Sequence, residues 1–424
     1  MAQKGIREFA SKSMLARHLP RYIADVKYQG KVALVTQGTD WNALVKENPW
    51  LANEKLVAKP DQLFGKRGKH GLLLFDADLN KVKAWVGERM GVEMEISGVK
   101  GRLTHFLIEP FTPHKQDEEY YFSMQTKRDG DLILFNMKGG IDIESHWDEM
   151  TKIEVPILAT IDSVNVEAAL PAALGDRRQK VAAFIKGAYK YFCDMNYTLL
   201  EFNPFTFVGS DVVPLDLKGV LDDTAAFESE KFWGDIEFPP PFGRSLSKEE
   251  AYIESLDEKS GASMKLTILN PKGRVWTMVA GGGASVIYAD TISDLGFGKE
   301  LANYGEYSGD PTTDETYEYA KTVLDLMTRE KDPKGKVLII GGGIANFTDI
   351  ANTFKGITKA LQDYQKKLQA ANVKIYVRRG GPNYKEGLRI MRDLGKTLGV
   401  PIEVYGPETH MTRVVPLALK GQGV

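Results

Sequence analysis

Three consecutive prolines divide this chain. Phe238-Pro239-Pro240-Pro241-Phe242-Gly243 can enter neither a helix interior nor a central strand, because each proline lacks an N–H and fixes φ near −65°. The segment must run as a stiff extended connector, and it separates two stretches of different texture, 1–240 and 241–424. In the first, residues 7 to 19 repeat as a short helix, Leu56 to Pro60 as a strand and Asn80 to Met90 as a helix. Tyr120 to Thr126 and Leu132 to Met137 flank Lys127-Arg128-Asp129-Gly130-Asp131, a loop with β-hairpin turn chemistry. A helix over Asp176 to Met195 precedes two more strand-like runs, Tyr197 to Val208 and Val212 to Leu217, joined by Gly209-Ser210-Asp211. This pattern predicts an α+β fold, largely antiparallel.

Beyond the prolines, strands alternate with helices: Lys265 to Leu269, Val275 to Ala280, helix 313 to 329, Val337 to Ile340, helix 347 to 370, Lys374 to Val377, helix 384 to 398 and Ile402 to Tyr405. That order predicts an α/β fold, an open parallel sheet with helices on both faces, whose ligands sit at the C-terminal ends of the strands. The glycine clusters 281 to 283, 341 to 343 and 380 to 381 all fall at such ends.

Composition excludes several classes. The chain has 424 residues, room for two or three domains. With 55 basic against 57 acidic side chains, nothing calls for a nucleic-acid surface, and any anion site must be local. Cys193 is the single cysteine, so no internal disulfide forms. Its apolar helical setting predicts a buried thiol, and a reducing cytoplasm fits. The N-terminal residues carry no apolar core of signal-peptide length, and no stretch of about 18 uncharged apolar residues occurs, so neither export nor membrane spanning is expected.

Gly341-Gly342-Gly343-Ile344-Ala345-Asn346-Phe347-Thr348 follows an apolar strand and precedes an amphipathic segment. Glycines let backbone N–H groups approach a ligand, and a helix N-terminus adds roughly half a positive charge, so an anion is the natural guest. The side chains offered are an amide and a hydroxyl, Asn346 and Thr348, which suit the oxygens of a hydroxy-polycarboxylic acid. In the first half, Lys59 ends a strand, and Gly65-Lys66-Arg67-Gly68-Lys69 follows it closely. These cations and glycines could wrap a polyphosphate. Asn203 and Asp216 lie on adjacent strand-like runs and could converge across a hairpin as a hard-oxygen pair for Mg²⁺. Ile108-Glu109-Pro110-Phe111-Thr112, a strand running into proline, could present backbone groups to an adenine.

A lysine on a strand, a basic glycine loop, a strand-to-proline hinge and a late Asn and Asp pair together resemble the ATP-grasp fold. The second half resembles the flavodoxin-like part of the nucleotide-binding subunit of succinyl-CoA synthetase. Longer strings, Trp233-Gly234-Asp235-Ile236-Glu237-Phe238 running on into the prolines, Asn270-Pro271-Lys272-Gly273-Arg274, Ala302-Asn303-Tyr304-Gly305-Glu306-Tyr307-Ser308-Gly309 and Val377-Arg378-Arg379-Gly380-Gly381-Pro382-Asn383-Tyr384, resemble ATP-citrate lyase from about residue 6 to the end. The resemblance implies an ATP-grasp domain at 1–240 and a flavodoxin-like citrate-binding domain at 241–424. It implies that Lys59, Arg67 and Gly68 hold ATP phosphates, with Pro110, Thr112 and Glu119 near adenine and ribose, and that Asn203 and Asp216 hold Mg²⁺. Gly309, Asn346, Thr348, Tyr364 and Arg379 match the citrate site, and Asp257, Ser260 and the Ala262 carbonyl a second proposed cation site. Glu201 matches a glutamate thought to steady a phosphohistidine loop.

None of the six histidines, His18, His70, His105, His114, His146 and His410, lies in a glycine-rich loop of the family kind, and His410 is the only tempting one. The resemblance therefore implies a hetero-oligomer. A second subunit would carry the phosphohistidine, the coenzyme A site and a citrate-synthase-like lyase domain. The large subunit of citryl-CoA synthetase is an alternative reading, with a succinyl-CoA synthetase subunit and a non-catalytic citrate sensor further off.

Overall fold

In the computed structural model of the protein, residues 3–24, 26–140 and 143–421 are described, and the chain forms two compact units, Met1–Ser245 and Leu246–Val424. The prolines at 239–241 take neither helix nor strand. The seam lies a few residues past them because Phe242 packs on Phe64 in the smaller core of the first unit, their rings 4.7 Å apart.

In chain order the first unit runs β1 (Gln3–Ile6), α1 (Glu8–His18), β2 (Ala33–Thr36), β3 (Leu56–Pro60), β4 (Leu74–Ala77), α2 (Leu79–Arg89), β5 (His105–Pro110), β6 (Tyr120–Lys127), β7 (Gly130–Asn136), β8 (Thr151–Pro156), α3 (Arg177–Asp194), β9 (Tyr197–Val208), β10 (Asp211–Pro214) and β11 (Leu217–Asp222). Two larger antiparallel sheets result, ordered β1-β11-β9-β6-β7-β8, with β10 on β9, and β2-β5-β3-β4, beside a two-stranded sheet of Glu93–Ile96 with Val99–Arg102. The expected hairpin forms with a tighter turn, since Lys127 pairs with Gly130 across Arg128-Asp129. The run 212 to 217 is not one strand. The N–H groups of Leu215 and Asp216 both donate to the Pro204 carbonyl (2.9 and 3.2 Å), and this break separates β10 from β11. The cysteine expectation fails: Cys193 is exposed, because Phe184, Ile185, Ala188, Tyr191 and Phe192 already occupy the buried faces of α3.

Helix α1 takes no cap from its own N-cap residue, Arg7. Instead Asp61, at the end of β3, accepts from Glu8 N (2.8 Å) and Phe9 N (3.1 Å). Burial, and then the Glu8 carboxylate, push Asp61 up to about 6 from the ordinary 3.8. Between those values the folded chain binds more protons than the unfolded one, so this group makes stability fall as pH rises from about 4 to about 6. Asp61→Asn is expected to flatten that fall, worth up to about 3 kcal/mol at roughly 1.4 kcal/mol per unit. Urea midpoints measured across this range check it, and an unchanged profile would mean that Asp61 titrates normally.

The second unit contains β12 (Ser263–Ile268), β13 (Val275–Ala280), α4 (Gly282–Ile292), β14 (Asn303–Ser308), α5 (Thr313–Thr328), β15 (Lys336–Gly342), α6 (Ile350–Asp363), β16 (Val373–Arg378), α7 (Tyr384–Thr397) and β17 (Ile402–Tyr405). Strands β13, β15, β16 and β17 form the parallel sheet in that order. On the free edge of β13 runs β14, joined by a parallel bridge from Val275 to Leu301 and by the Asn303 side chain, which accepts from Thr277 N and donates to Thr277 O at 2.9 Å each. The parallel strands thus follow the flavodoxin-like order, with the chain turning to opposite sides after β13 and β15.

Two expectations change. The run 265 to 269 belongs not to the parallel sheet but to β12, which pairs antiparallel with β14 (Ser263 opposite Ser308). Strand β14 itself was not expected, because it buries Asn303, Gly305 and Tyr307 where an aliphatic alternation would signal a strand. Gly305 is required there, as a Cβ would run into the Lys265 carbonyl. The expected helix 347 to 370 is two helices, α6 and Gln365–Ala370, broken at Tyr364. Among the described residues, no helix is long and apolar enough to cross a membrane.

Candidate active site

Within the first unit a cavity of about 1430 Å³ is lined by Lys59, Arg67, Gly68, Pro110, Thr112, Glu119, Asn203 and Asp216. The break at Leu215-Asp216 places the carboxylate of Asp216 opposite Arg67 Nη1, 3.1 Å from each of its oxygens. Asn203 lies beside it, its N–H donating to the Asp216 carbonyl (3.0 Å) and its Oδ1 accepting from Gly140 N (2.8 Å). Asn203 and Asp216 therefore do converge.

The lysine and arginine are not the solvated loop that a cationic run suggests. Both are buried, and both bind Glu8, a fully enclosed carboxylate on α1: Lys59 Nζ at 2.7 Å and Arg67 Nη1 at 2.9 Å. Lys12 joins at 2.8 Å from Glu8 and 2.6 Å from Glu109, and Glu109 reaches Lys59 at 2.9 Å. Burial alone would raise Glu8, but Lys12, Lys59 and Arg67 together hold it well below the usual carboxylate range. Burial and the Glu8 carboxylate push Asp216 up, against the pull of Arg67. Glu8, Lys12 and Asp61 were missed as site residues. In the sequence Glu8 and Lys12 make only an i,i+4 pair, which reads as a surface contact.

Glu201, also on β9, is half-buried, hydrogen-bonded to Tyr121 and raised by burial. It stands outside the residues lining the cavity.

In the second unit, residues 343 to 349 run extended beside 379 to 383. Ala345 N donates to Gly380 O (3.0 Å), Ile350 N to Pro382 O (3.1 Å) and Asn383 Nδ2 to Asp349 Oδ2 (2.7 Å). Asp349 N in turn donates to Asp310 Oδ1 (3.1 Å), which brings Gly309 to the same place. Helix α6 starts only at Ile350 and is capped by its own Asp349, which accepts from Asn352 N. The positive end of the helix thus faces a carboxylate, and the burden of holding an anion falls on side chains. Thr348 is buried and Asn346 exposed.

Arg379 is 1% exposed; among the described residues Nη1 reaches only the Gly343 carbonyl at 3.4 Å, and Nε and Nη2 have no partner. The Tyr307 hydroxyl, equally buried, has none either. Arg378, its neighbour, spends its guanidinium on the carbonyls of Gly342, Pro407 and Thr409. Burial pulls Arg379 down, and among the described residues no carboxylate lies against it to restore the charged form. A buried guanidinium without a counter-ion is costly, so the site is built for an anion.

Gly342 supports this geometry, since a Cβ there would land on Arg379 Nη1. Gly342→Ala is expected to swing Arg379 aside and also to cost stability, because Gly342 sits at φ +157° and the Ala280 carbonyl would lie 3.0 Å from the new Cβ. Anion affinity should fall about tenfold or more, the scale of one charged hydrogen-bonding contact. Calorimetry paired with a melting curve checks this.

Tyr364 is not brought to this group. It sits at the far end of α6, roughly 20 Å along the helix axis, and its hydroxyl contacts Asp325 (3.3 Å). Asp257 and Ser260 spend side-chain oxygens on the backbone of their own loop, accepting from Met264 N (2.6 Å) and Ala262 N (2.9 Å). Ala262 abuts Gly309. His410 is exposed and pairs locally with Thr412 (2.8 Å).

Residues 2–233 match the family model described as the ATP-citrate synthase ATP-grasp domain, and 244–421 that described as ATP citrate lyase citrate-binding. Fold and site thus define a class of protein, an ATP-grasp unit followed by a flavodoxin-like citrate-binding unit. ATP-citrate synthase alpha chain protein 2 of Oryza sativa subsp. japonica is 53% identical over 99% of each chain. ATP-citrate synthase of Mus musculus is 50% identical over 99% of this chain, which spans only 38% of the mouse protein. The ATP citrate lyase of Methanothrix soehngenii, solved in complex with citrate and coenzyme A, superposes with a TM-score of 0.90 at 58% identity, covering 99% of this chain and 100% of that one. The chain belongs to the ATP-citrate lyase family.

Proposed function

We propose that this chain performs the ATP-dependent phosphorylation and citrate-binding half of citrate cleavage, as the large subunit of a hetero-oligomeric enzyme. The observation that carries the reading is Arg379, a buried cation that has no counter-ion among the described residues and whose Nη1 reaches the Gly343 carbonyl at the start of the 343–349 segment. A citrate carboxylate supplies the missing charge, and Asn346 and Thr348 offer donors to the remaining oxygens.

In the first unit, Lys59 and Arg67 exchange Glu8 and Asp216 for the phosphates of ATP. Asp216 and Asn203 fit Mg²⁺, because the carboxylate reaches the cavity and the amide oxygen keeps a second lone pair beyond its Gly140 contact. Bound there, Mg²⁺ would neutralise phosphate charge. The γ-phosphoryl group passes to a histidine of the partner subunit and ADP leaves. A citrate carboxylate oxygen then attacks phosphorus, the P–N bond breaks and citryl phosphate forms. The coenzyme A thiolate attacks the acyl carbon, phosphate departs, and the partner's lyase domain cleaves citryl-CoA to acetyl-CoA and oxaloacetate. Glu201 would steady the histidine loop at the ATP site. A mouse relative in which the matched segment is 38% of a longer chain supports a partner for the later steps. The single, exposed cysteine accords with a cytoplasmic setting.

Calorimetry of this chain with citrate and with succinate tests the reading. Citrate should bind at least tenfold more tightly. Equal affinity, or none for either, would overturn it.

A further inference from the structure

Between Thr112 and Glu119, the residues assigned to adenine and ribose, stands a histidine that the reading above does not use. His114 lines the same cavity. Its Nδ1 lies 2.6 Å from the Thr112 carbonyl and its Nε2 3.0 Å from Glu119 Oε1. Both neighbours are acceptors, so the ring can only donate to them. A neutral imidazole serves one, and the doubly protonated ring serves both. Glu119 is also fixed from the other side, where its carbonyl accepts from Gly139 N (2.8 Å), and a Cβ at position 140 would come within 3.0 Å of Oε2, so glycine there keeps that oxygen free of a side chain. With Oε1 engaged by the ring, Oε2 is the oxygen left to accept from an incoming hydroxyl.

We infer that His114 is a positioning residue for the nucleotide: it ties the adenine-facing loop, through the Thr112 carbonyl, to the carboxylate that receives the ribose hydroxyls. The inference rests on the expectation that Pro110, Thr112 and Glu119 lie near adenine and ribose, and within it places Glu119, the only carboxylate of the three, at the ribose hydroxyls. Pro113 stiffens the short link between Thr112 and His114, so the ring sets the distance between the two contacts before nucleotide arrives. Preorganisation of this kind gains affinity by lowering the ordering cost of binding.

The test is calorimetry of the full chain with Mg-ATP and with Mg-2′,3′-dideoxy-ATP, which lacks the hydroxyls Glu119 would bind. His114→Ala should weaken ATP about tenfold and leave the dideoxy analogue unchanged, collapsing the preference between them, and added imidazole should restore part of it. A merely structural role would weaken both nucleotides alike. His114→Gln, with one amide donor, should give an intermediate preference. If both histidine variants keep the wild-type preference while Glu119→Gln loses it, the proposal for His114 is overturned. If Glu119→Gln keeps it, the ribose assignment beneath the proposal falls instead.

Discussion

Replacing Arg379 by methionine is expected to weaken citrate binding by one to two orders of magnitude while leaving the ligand-free chain at least as stable as before. The two effects have one cause. In the absence of an anion, the chain holds a guanidinium that is 1% exposed, with two of its nitrogens unpartnered. Keeping an unpaired ion out of water costs several kcal/mol, and a methionine of similar reach removes that cost. With citrate bound, the same guanidinium makes charged hydrogen bonds worth about 1.5 to 3 kcal/mol, so their loss weakens binding roughly 10- to 150-fold. Thermal melts with and without citrate separate the terms. The wild type should rise with citrate, whereas the variant should start level or higher and respond only at correspondingly higher citrate. A variant that melts early yet responds to citrate as the wild type does would make Arg379 a structural residue.

Asp216→Ala is expected to abolish phosphoryl transfer and leave citrate binding intact. Asp216 is the cavity carboxylate that lies 3.1 Å from Arg67, the arginine proposed to bind phosphate, while its backbone carbonyl accepts from Asn203 N. Its loss removes the charged half of the metal pair and frees Arg67 from one of its two anions. Deleting one electrostatic element of a transfer site costs about 10²- to 10³-fold in rate. The proposed citrate contacts, Arg379 and Thr348, belong to the other unit, so citrate binding should not change. Normal transfer to the partner at saturating Mg²⁺ would show that Asp216 is only an ion-pair partner.

Much of this was legible because local pattern decides it. Proline chemistry located the connector, short apolar runs bounded by turn residues located β3, β6 and β9, and the hairpin around residue 210 made the approach of Asn203 to Asp216 foreseeable. What was not legible depends on distant partners. Glu8 lies 51 positions from Lys59 and 59 from Arg67, and no periodicity announces that one buried carboxylate gathers three cations. Arg379 was visible as a cation at a strand end, but not that it lacks a counter-ion, since that is a property of everything packed around it. Strand β14 escaped because its inward residues are Asn, Gly and Tyr, and its place beside β13 is held by an amide side chain. Cys193 was misplaced for a related reason: an apolar helix stretch does not tell which of its faces is outermost.

The central claim is that the phosphate carrier lies on a partner and not on this chain. Incubation of the isolated chain with γ-labelled ATP and Mg²⁺, with and without its partner, tests it most directly. The account expects acid-labile label only when the partner is present, and only on the partner. Stable label on this chain alone, lost in His410→Ala, would contradict it and make His410 the carrier.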